Sequence, residues 1–578
     1  MTVAALETLK PYQSRRFVPE AFDPGNWTHL EPLFKQLEER GRALADAAEL
    51  ERWVLDGSEL DAAVQQETAR RYIRMTCQTD DPATERAYLD FVEQVEPKLK
   101  PAWQRLAQLF LACPHRAGLP ARRWEVFERD TRNEVDLFRE ANVPLETDEA
   151  RLKQQYQKTM GAMTVLFRGE ERTLQQMGKF LEDPDRALRE EAFRMVVQRR
   201  LRDREEIETL FEKLLALRDR IAKNADCADY RAFAFRSRGR FDYTPAHCEA
   251  FHAAVEAHVV PLARQLQERR RKLLGVDRLM PWDLAVDPQN RPALRPFQDT
   301  ETFVASTQAV FERIDPALGS DFQVLVDHGL LDLESRKGKA PGGYQYTLEE
   351  ARLPFIFMNA VGLQRDVETL LHEGGHAFHA LATRQEPLLA YRHAPLEFCE
   401  VASMAMELLG GPHLEAFYRP EDAARARRTH LEGIINLLPW IATIDAFQHW
   451  LYTHPGHKRE ERKAAWLSTL RRFGGTEDWS GFEAAESHLW HRQGHLFGSP
   501  FYYIEYGIAQ LGALQVWRNS LSDLKGAIAK YRAALALGRS RPLPELFEAA
   551  GATFDFSART VQPLTEALAA ELARLESA

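Results

Sequence analysis

The sequence predicts a mainly α-helical protein with more than one lobe and a small β-sheet. Three observations lead to this prediction. The chain has 578 residues, which is more than one compact core usually holds. Over most of its length, apolar residues recur three and four positions apart between charged ones, which is the helical period. That period breaks between about residues 319 and 362 and returns from about residue 366.

Residues 28–225 form a helix-rich block, of which LEPLFKQLEERGRALADAAELERWVL is typical. Proline and glycine end helices, so we predict breaks near Cys113-Pro114, Gly118-Leu119-Pro120 and Asn142-Val143-Pro144. We interpret residues 1–190 as an N-terminal helical lobe and residues 191–578 as the region that carries the chemistry. Lobes built from interleaved segments are compatible with this division.

The break in helical period predicts a small sheet. The stretches DFQVLVDHGLLDLE and PFIFMNAVG contain β-favouring residues that suit short strands, and GKAPGGYQY between them suits a flexible turn. Gly342 and Gly343 would let the backbone approach a bound peptide. The segment PFIFMNA could offer an exposed edge to which an extended peptide adds as a strand. An ordinary turn beside a buried strand is the alternative.

Composition argues against several classes of function. The 76 Lys and Arg residues are outnumbered by 86 Asp and Glu residues, and the formal charge of -10 gives no field for nucleic acid or anionic membranes. The amino terminus lacks the pattern of a signal peptide, and no run of 18 apolar residues occurs. The five cysteines are scattered singly, as in a reduced protein. We therefore expect a cytoplasmic protein.

The strongest chemical signal is an H-E-x-x-H motif within DVETLLHEGGHAFHALA. His372 and His376 are four residues apart, so they share one helix face and can bind the same zinc ion. A third protein ligand would leave one coordination position open for water, whose pKa then falls towards neutrality. Glu373 is the natural general base for that water. Asp366 is suited to cap the start of the helix.

A second predicted helix, in HAPLEFCEVASMAMELLGG, carries the candidates for the third ligand. Pro395 suits its first turn, and the paired glycines at 410 and 411 suit its end. Spacing alone does not choose among Glu397, Glu400 and Glu407. A position near mid-helix in an apolar context favours Glu400, because an unpaired carboxylate there would be costly. Glu407 would then accept a hydrogen bond from a ligand histidine.

Three further residues near the motif need an interpretation. His379 lies seven residues beyond His372 on the same face, but the longer zinc motif requires glycine at position 379 and histidine at position 382. We therefore predict that His379 packs against or supports the site. His393 either contacts substrate or caps the following helix. Cys399 lacks a histidine partner in the sequence and is interpreted as a core residue.

A second functional segment is GHLFGSPFYYIEYGIAQ. Ser499 can cap and Pro500 can begin a helix on which Tyr506 shares a face with Tyr502 or with Tyr503. Phenols are suitable donors to an oxyanion. The alternative is that these rings simply fill a helix interface.

These segments together resemble the thimet oligopeptidase and oligoendopeptidase F family of zinc metallopeptidases. HEGGHAFH and EFCEVASMAMELL carry the resemblance, with RKGKAPGGYQYTLEEARLPFIFMNAVG before them and HLFGSPFYYIEYGIAQLGA after them. It extends over about residues 190–560 and includes NADCADYRAF and RRKLLGVDRLMPWDL. The first 190 residues share with the family only their helical character.

The resemblance implies a fold of two helical lobes that enclose a deep substrate channel, with the small sheet near the H-E-x-x-H helix. It implies one Zn2+ per chain and short, unstructured peptides as substrates. The residues that match the zinc ligands are His372, His376 and Glu400, with Glu373 as the base. In the family, a histidine and tyrosines bind substrate and stabilise the tetrahedral intermediate. By the resemblance these residues correspond to His495, to Tyr506, and to Tyr503 or Tyr502.

Two other functions share part of this pattern. A helical zinc carboxypeptidase has the same motif and a downstream glutamate but removes residues from one end of a peptide. A peptide-binding protein without catalysis would keep zinc only for structure, with all four positions filled by protein ligands. Glu373 argues against the second function, because a structural site has no use for a base.

Overall fold

Helices make up most of the computed structural model, which describes residues 3–577. Up to residue 293 the elements are α1 (Val3–Thr8), α2 (Trp27–Gly41), α3 (Ala47–Cys77), α4 (Pro82–Gln94), α5 (Glu96–Ala112), α6 (Ala121–Leu137), α7 (Val143–Gly161), β1 (Thr164–Phe167), β2 (Glu170–Thr173), α8 (Leu174–Leu181), α9 (Arg186–Arg202), α10 (Arg204–Asn224), α11 (Tyr230–Ser237), α12 (Pro245–Ala254) and α13 (Val260–Leu274).

The remaining elements are α14 (Thr300–Ile314), α15 (Pro316–Asp327), β3 (Leu331–Glu334), β4 (Tyr344–Leu348), β5 (Leu353–Ala360), α16 (Gln364–Ala382), α17 (Leu396–Gly410), α18 (Pro420–Thr453), α19 (Arg459–Phe473), α20 (Glu483–Ser487), α21 (Gly494–Gly498), α22 (Tyr503–Ser520), α23 (Leu524–Leu535), α24 (Leu543–Ala549) and α25 (Ala558–Ser577). Short 3-10 helices lie at Pro114–Gly118, Glu140–Asn142, Pro281–Asp283, Leu389–Tyr391, Gly411–Ala416 and Leu489–Arg492, and a π-helical turn lies at Val255–Val259.

The chain divides into two compact units, each built from three segments. Unit 1 comprises residues 1–136, 294–427 and 512–554. Unit 2 comprises residues 137–293, 428–511 and 555–578. The mainly helical fold is confirmed. The division after residue 190 and the deep channel stay predictions.

One apolar core of unit 1 lies among its N-terminal helices. Trp53 of α3 is buried there, and its indole N–H donates to the backbone oxygen of Leu37 in α2 at 2.8 Å. Phe34 packs edge-on against Trp103 of α5, with ring centroids 4.8 Å apart. Leu388 and Tyr391 join the same core from the segment between α16 and α17. This core therefore ties the N-terminal helices to the segment that leads into α17.

Unit 2 contains buried polar anchors beside its apolar clusters. Asp283 is 0% exposed and accepts hydrogen bonds from Arg189 Nη2 at 2.9 Å and from Arg186 Nη2 at 2.8 Å. The fully buried Arg218 donates to Glu149 Oε1 at 2.9 Å. Such charges are tolerated in an interior because they are paired and hydrogen-bonded.

The predicted sheet forms next to α16, with the strand order β3-β5-β4. β5 pairs parallel with β3 and antiparallel with β4. β5 is therefore the central strand, and the prediction that PFIFMNA offers an exposed edge is wrong. β4 has β5 as its one partner in the sheet, and its central residue Tyr346 pairs with Phe355.

One part of the predicted strand region is helical. Residues 316–327 form α15, because Asp315 caps the helix through a hydrogen bond from the Ala317 backbone N–H at 2.8 Å. Leu318, Phe322 and Leu325 are buried at helical spacing. The prediction of a strand at DFQVLVD is wrong because a short apolar run is compatible with either a strand or a buried helix. Only the last four residues of DFQVLVDHGLLDLE form a strand.

The predicted breaks in the N-terminal region are confirmed. A 3-10 helix at Pro114–Gly118 separates α5 from α6, and α7 begins at Val143. A hairpin, in which β1 pairs antiparallel with β2, was not predicted. Its turn uses Arg168 and Gly169, both at positive φ. Among the described residues, no helix has the length and apolar character needed to cross a membrane. The five cysteines are free.

Candidate metal centre and active site

The helix that carries the H-E-x-x-H motif packs closely on α17. A Cβ atom added to Gly375 would lie 2.5 Å from the backbone oxygen of Ala402 and 2.6 Å from Ser403 Cα. Glycine at this position therefore lets the two helices approach backbone to backbone. Asp366 lies in the first turn of α16, where its Oδ2 accepts the backbone N–H of Leu363 at 2.9 Å. It closes the helix start from inside the first turn rather than from the cap position.

Three side chains of α16 and α17 bring potential metal ligands together. His372 Nε2 lies 3.3 Å from Glu400 Oε2, and His376 Nε2 lies 3.7 Å from the same oxygen. One ligand atom from each residue lies within 4.8 Å of the others. Among the described residues, Glu397 and Glu407 are not part of this group. The structure thus brings the two histidines together with the middle of the three candidate glutamates.

Two neighbours orient these side chains. Glu407 Oε1 lies 2.6 Å from His372 Nδ1, so this carboxylate holds one ring nitrogen while Nε2 faces Glu400. Ser403 Oγ donates to Glu400 Oε2 at 3.0 Å. Burial lowers the pKa of His372, but the hydrogen bonds with Glu400 and Glu407 outweigh it and the net shift is upward. Burial lowers the pKa of His376 to about 4.

Glu373 lies beside the metal-ligand group on α16 and is only 7% exposed. Burial raises the pKa of its carboxyl group to about 7, and the charge of Glu400 adds to the increase. The charge of His372 and a hydrogen bond from the Gln345 backbone N–H act in the opposite direction. A carboxyl group with a pKa near neutrality can both accept and return a proton at physiological pH.

The remaining candidates near the motif lie around this group. His379 is buried, its Nε2 has no hydrogen-bond partner among the described residues, and burial lowers its pKa to about 3. His393 Nε2 lies 2.5 Å from Glu349 Oε1. Burial raises the pKa of the Cys399 thiol to about 12, which makes it a poor nucleophile.

The glycine-rich loop lies against the sheet and against α16. Gly342 has φ +101°, a conformation that favours glycine, and its backbone oxygen accepts a hydrogen bond from Asn359 Nδ2 at 2.9 Å. A Cβ atom added to Gly343 would lie 3.4 Å from Thr369 Cγ2 of α16. The loop therefore passes close to the first turns of the motif helix.

The histidine and tyrosines of the second predicted segment lie in unit 2 and come together there. The His495 ring centroid lies 4.9 Å from that of Tyr503, 5.6 Å from that of Tyr502 and 6.0 Å from that of Tyr506. Tyr506 contacts both other tyrosines, at 5.2 Å from Tyr502 and 5.5 Å from Tyr503. All three candidate tyrosines thus belong to one aromatic cluster with His495.

The helix that carries these tyrosines begins later than predicted. α22 starts at Tyr503, so a start capped by Ser499 with Pro500 as its first residue is wrong. The reason is a turn at Phe501, which has φ +62° and donates its backbone N–H to Gln448 Oε1 at 2.5 Å. Tyr502 consequently precedes the helix rather than lying on its face.

Another group with metal-binding residue types is buried in unit 2. Asp445 Oδ2 lies 2.8 Å from His252 Nε2 and 3.3 Å from His449 Nε2. Arg231 Nη1 lies 3.3 Å from His449 Nδ1. An arginine is always a donor, so His449 Nδ1 is the acceptor of this contact, whereas His449 Nε2 has no hydrogen-bond partner among the described residues. Cys248, Asp445 and His449 each have one potential ligand atom, and these atoms lie within 4.8 Å of one another.

Sequence reasoning missed three contributors to the candidate site. Ser403 follows Glu400 by three positions, a helical spacing that could have indicated a hydrogen bond. The Gln345 backbone N–H and the Glu349 side chain come from β4 and the turn after it. No motif marks a backbone donor, and the pairing of β4 with β5 is what carries these groups to α16.

Two profiles of one peptidase family match this chain. The profile described as Peptidase M3 N-terminal domain matches residues 17–138, and the profile described as Peptidase family M3 matches residues 179–565. The N-terminal match corrects the expectation that the first 190 residues share only helical character with the family. A solved structure of PZ peptidase A with an inhibitor is 29% identical, with a TM-score of 0.87, and the match covers 97% of this chain and 99% of that one.

Curated relatives match over shorter stretches. Oligopeptidase PepF of Bacillus subtilis (strain 168) is 26% identical over 199 residues, or 34% of this chain and 29% of the relative. Chromosomal oligoendopeptidase F of Lactococcus lactis subsp. cremoris is 27% identical over 148 residues, or 26% of this chain and 24% of the relative. The chain thus matches less than a third of the length of either relative. The family profile, in contrast, spans both helices of the metal-ligand group, and this chain belongs to peptidase family M3.

Proposed function

We propose that this chain is a zinc-dependent oligoendopeptidase that hydrolyses internal bonds of short, unstructured peptides. The observation that carries the proposal is the convergence of His372 Nε2 and His376 Nε2 on Glu400 Oε2, with the buried Glu373 beside them. The relatives named oligopeptidase and oligoendopeptidase support the same reaction. The cytoplasm stays the expected compartment.

The donor set suits zinc. Two imidazole nitrogens and one carboxylate oxygen are the ligands of a catalytic zinc site with one open coordination position. Glu407 engages His372 Nδ1, which leaves Nε2 of the same ring to face the other ligands. The ligand residues would be His372, His376 and Glu400, one ion per chain. Zinc in such a site supplies Lewis acidity, which acidifies water and polarises a peptide carbonyl.

Glu373 is proposed as the general base and then the general acid. Its carboxylate would take a proton from the attacking water and deliver it to the leaving amine. The pKa of about 7 supports this role, because the carboxyl group then exchanges a proton with little free-energy cost near neutral pH. The Gln345 backbone N–H favours the ionised form of this carboxylate.

His495 and the tyrosine cluster are proposed to bind the peptide and to donate hydrogen bonds to the developing oxyanion. Tyr506 and His495 are the first candidates, with Tyr503 and Tyr502 as alternatives. Desolvation lowers the pKa of His495, so its ring is neutral at pH 7 and has one N–H to donate. Glu407 and His379 are proposed as supporting residues of the metal site, and Gly342 and Gly343 as backbone that lies along the peptide.

The experiment compares the wild-type protein with Glu373→Gln on an internally quenched peptide blocked at both ends, with the zinc content of both proteins measured. Loss of a general base should lower kcat by about 10²- to 10⁴-fold, while the zinc content stays the same. Glu415→Gln, the same change at an exposed glutamate of unit 1, is the matched control and should leave kcat unchanged.

The same experiment separates the alternatives. A carboxypeptidase would not cut a peptide with a blocked carboxyl terminus, whereas an endopeptidase cuts it internally. A binding protein would take up zinc and peptide but cut nothing. Full activity of Glu373→Gln would remove this residue from the mechanism.

A further inference from the structure

Unit 1 contains a cavity of about 870 Å³ that lies outside the metal-ligand group. One of its walls is a single face of α3, formed by residues four positions apart: Trp53, Gly57, Asp61 and Gln65. The other walls come from α5, α6, β4 and the segment between α16 and α17. This volume lies within the range of small-ligand sites and is sufficient for a large side chain.

The cavity adjoins the candidate general base. Gln345 of β4 lines the cavity, and its backbone N–H donates to the Glu373 carboxylate. His393 also lines the cavity and lies three residues before Leu396, the first residue of α17. β4 therefore carries residues that border both the candidate general base and this cavity.

The lining of the cavity carries an excess of carboxylates. Four acidic residues line it, and two of them have cationic partners. Asp130 Oδ2 accepts from Arg539 Nε at 2.6 Å. Glu349 is 4% exposed, its Oε1 lies 2.5 Å from His393 Nε2, and its Oε2 lies 3.5 Å from Arg392 Nη1.

The other two carboxylates, Asp61 and Glu134, form no direct ion pair within the described part of the chain, although the charge of Arg392 acts on Asp61 and that of Arg539 on Glu134. Asp61 Oδ1 has one long hydrogen bond, from Gln65 Nε2 at 3.4 Å. In the part of the chain that the structure describes, Glu134 has no ion pair or hydrogen bond. Desolvation is the main cause that raises the pKa of Asp61 to about 6; the hydrogen bond from Gln65 and the charge of Arg392 act against it, and the charges of Glu349 and Glu134 act with it. Desolvation also raises the pKa of Glu134. Asp61 is partly buried and Glu134 is exposed, and a cation bound near both would stabilise their ionised forms.

Aromatic rings complete this environment. Trp53, Trp103, Phe110, Phe127 and Tyr346 line the cavity. Aromatic faces attract organic cations, and they also cover the alkyl stem of a long side chain. A lysine or arginine side chain combines these two properties, whereas a hydrated metal ion or an uncharged apolar side chain has only one of them.

We propose that this cavity binds a positively charged group of the peptide, an ammonium or a guanidinium, between Asp61 and Glu134. It thereby selects peptides with a cationic group at one fixed position relative to the cleaved bond. This inference depends on the proposed function, which it extends from short peptides in general to cationic short peptides.

The test moves a single lysine through each position of an end-blocked, internally quenched peptide and compares it with norleucine, which has a similar shape but no charge. At one position we expect kcat/KM for lysine to exceed that for norleucine by roughly 10- to 100-fold, mainly through KM. In the double variant Asp61→Asn/Glu134→Gln the ratio should fall to near one. The matched control Glu93→Gln removes one exposed charge of unit 1 and should keep the wild-type ratio.

A binding measurement keeps this inference separate from catalysis. Zinc-loaded Glu373→Gln protein is titrated calorimetrically with the best lysine peptide and its norleucine counterpart, and only the lysine peptide should bind tightly. Peptides without lysine but with a free amino terminus show whether the terminal ammonium is the bound cation instead of a side chain.

The outcomes are distinguishable. If no peptide is cut, the proposed function fails, and calorimetry alone decides on the cation site. If peptides are cut but lysine and norleucine are equivalent at every position and in binding, the inference is wrong. It is also wrong if the preference survives in the double variant.

Discussion

Replacing Asp61 with asparagine should stabilise the protein at neutral and alkaline pH. The pKa of this carboxyl group is raised from 3.8 to about 6, chiefly by desolvation. The folded chain therefore binds this proton more tightly than the unfolded chain. The contribution of Asp61 to stability is most favourable below about pH 4 and becomes less favourable as the pH rises to about 6. A difference of about two pKa units corresponds to about 3 kcal/mol, which we reduce to about 2 kcal/mol because the side chain is only partly buried.

The assay is scanning calorimetry of wild type and Asp61→Asn at pH 8 and at pH 4.5. For a unit of the size of unit 1, about 2 kcal/mol corresponds to an increase in Tm of about 3 °C. We expect this increase at pH 8 and roughly a third of it at pH 4.5, because Asp61 is protonated there in the folded wild type but mostly ionised in the unfolded chain. Glu93→Gln, at an exposed position of unit 1, should leave the Tm unchanged at both pH values.

Two results would refute this reasoning. A lower Tm of Asp61→Asn at pH 8 would mean that the carboxylate makes a favourable interaction that the structure does not contain. An increase of the same size at both pH values would mean that the effect does not come from ionisation. The expected result would agree with a general trade-off, in which charged groups kept for binding reduce the stability of the free protein.

Two further predictions concern the metal-ligand group. Glu407→Ala removes the carboxylate that is hydrogen-bonded to His372 Nδ1 and should weaken zinc binding by about 10- to 100-fold. Competition with a chelator measures this affinity, and an unchanged value would contradict the orienting role of Glu407. Gly375→Ala places a Cβ atom 2.5 Å from the Ala402 backbone oxygen and should lower stability by about 1–3 kcal/mol, with a loss of bound zinc. Its control is Gly433→Ala, where no atom lies within 4 Å of the added Cβ. If calorimetry gives the same change in stability for both variants, the close contact between α16 and α17 is not the cause.

Most of the helices were predictable from sequence because their evidence is local. The periodicity of apolar residues and the Pro and Gly breaks placed the boundary before α7 and the ends of α17 close to the observed ones. The errors occurred where a local pattern has two solutions. DFQVLVD is compatible with a strand or a helix, and Asp315 decided in favour of the helix by capping it. Pro500 suited a helix start, but Phe501 adopts positive φ and delays the start to Tyr503.

The candidate metal ligands were predictable to different degrees. The spacing of His372 and His376 was sufficient to place both on one face of α16. The choice among Glu397, Glu400 and Glu407 was not accessible from spacing, since each occurs on the same helix at a plausible distance. The packing of Gly375 against Ala402 and Ser403 decides it, because this contact determines which turn of α17 faces the histidines.

The sequence by itself determined the helical character, the H-E-x-x-H pair with its adjacent base, and the membership in peptidase family M3. Only the tertiary structure decided that β5 is the central strand, that Gln345 donates to Glu373, and that Asp61 and Glu134 line one cavity without a direct ion pair among the described residues. The physical reason is the range of the interactions. Periodicity, caps and motif spacing act over a few residues, whereas strand order, desolvation and charge balance depend on segments that are distant in the chain and meet only in the folded protein.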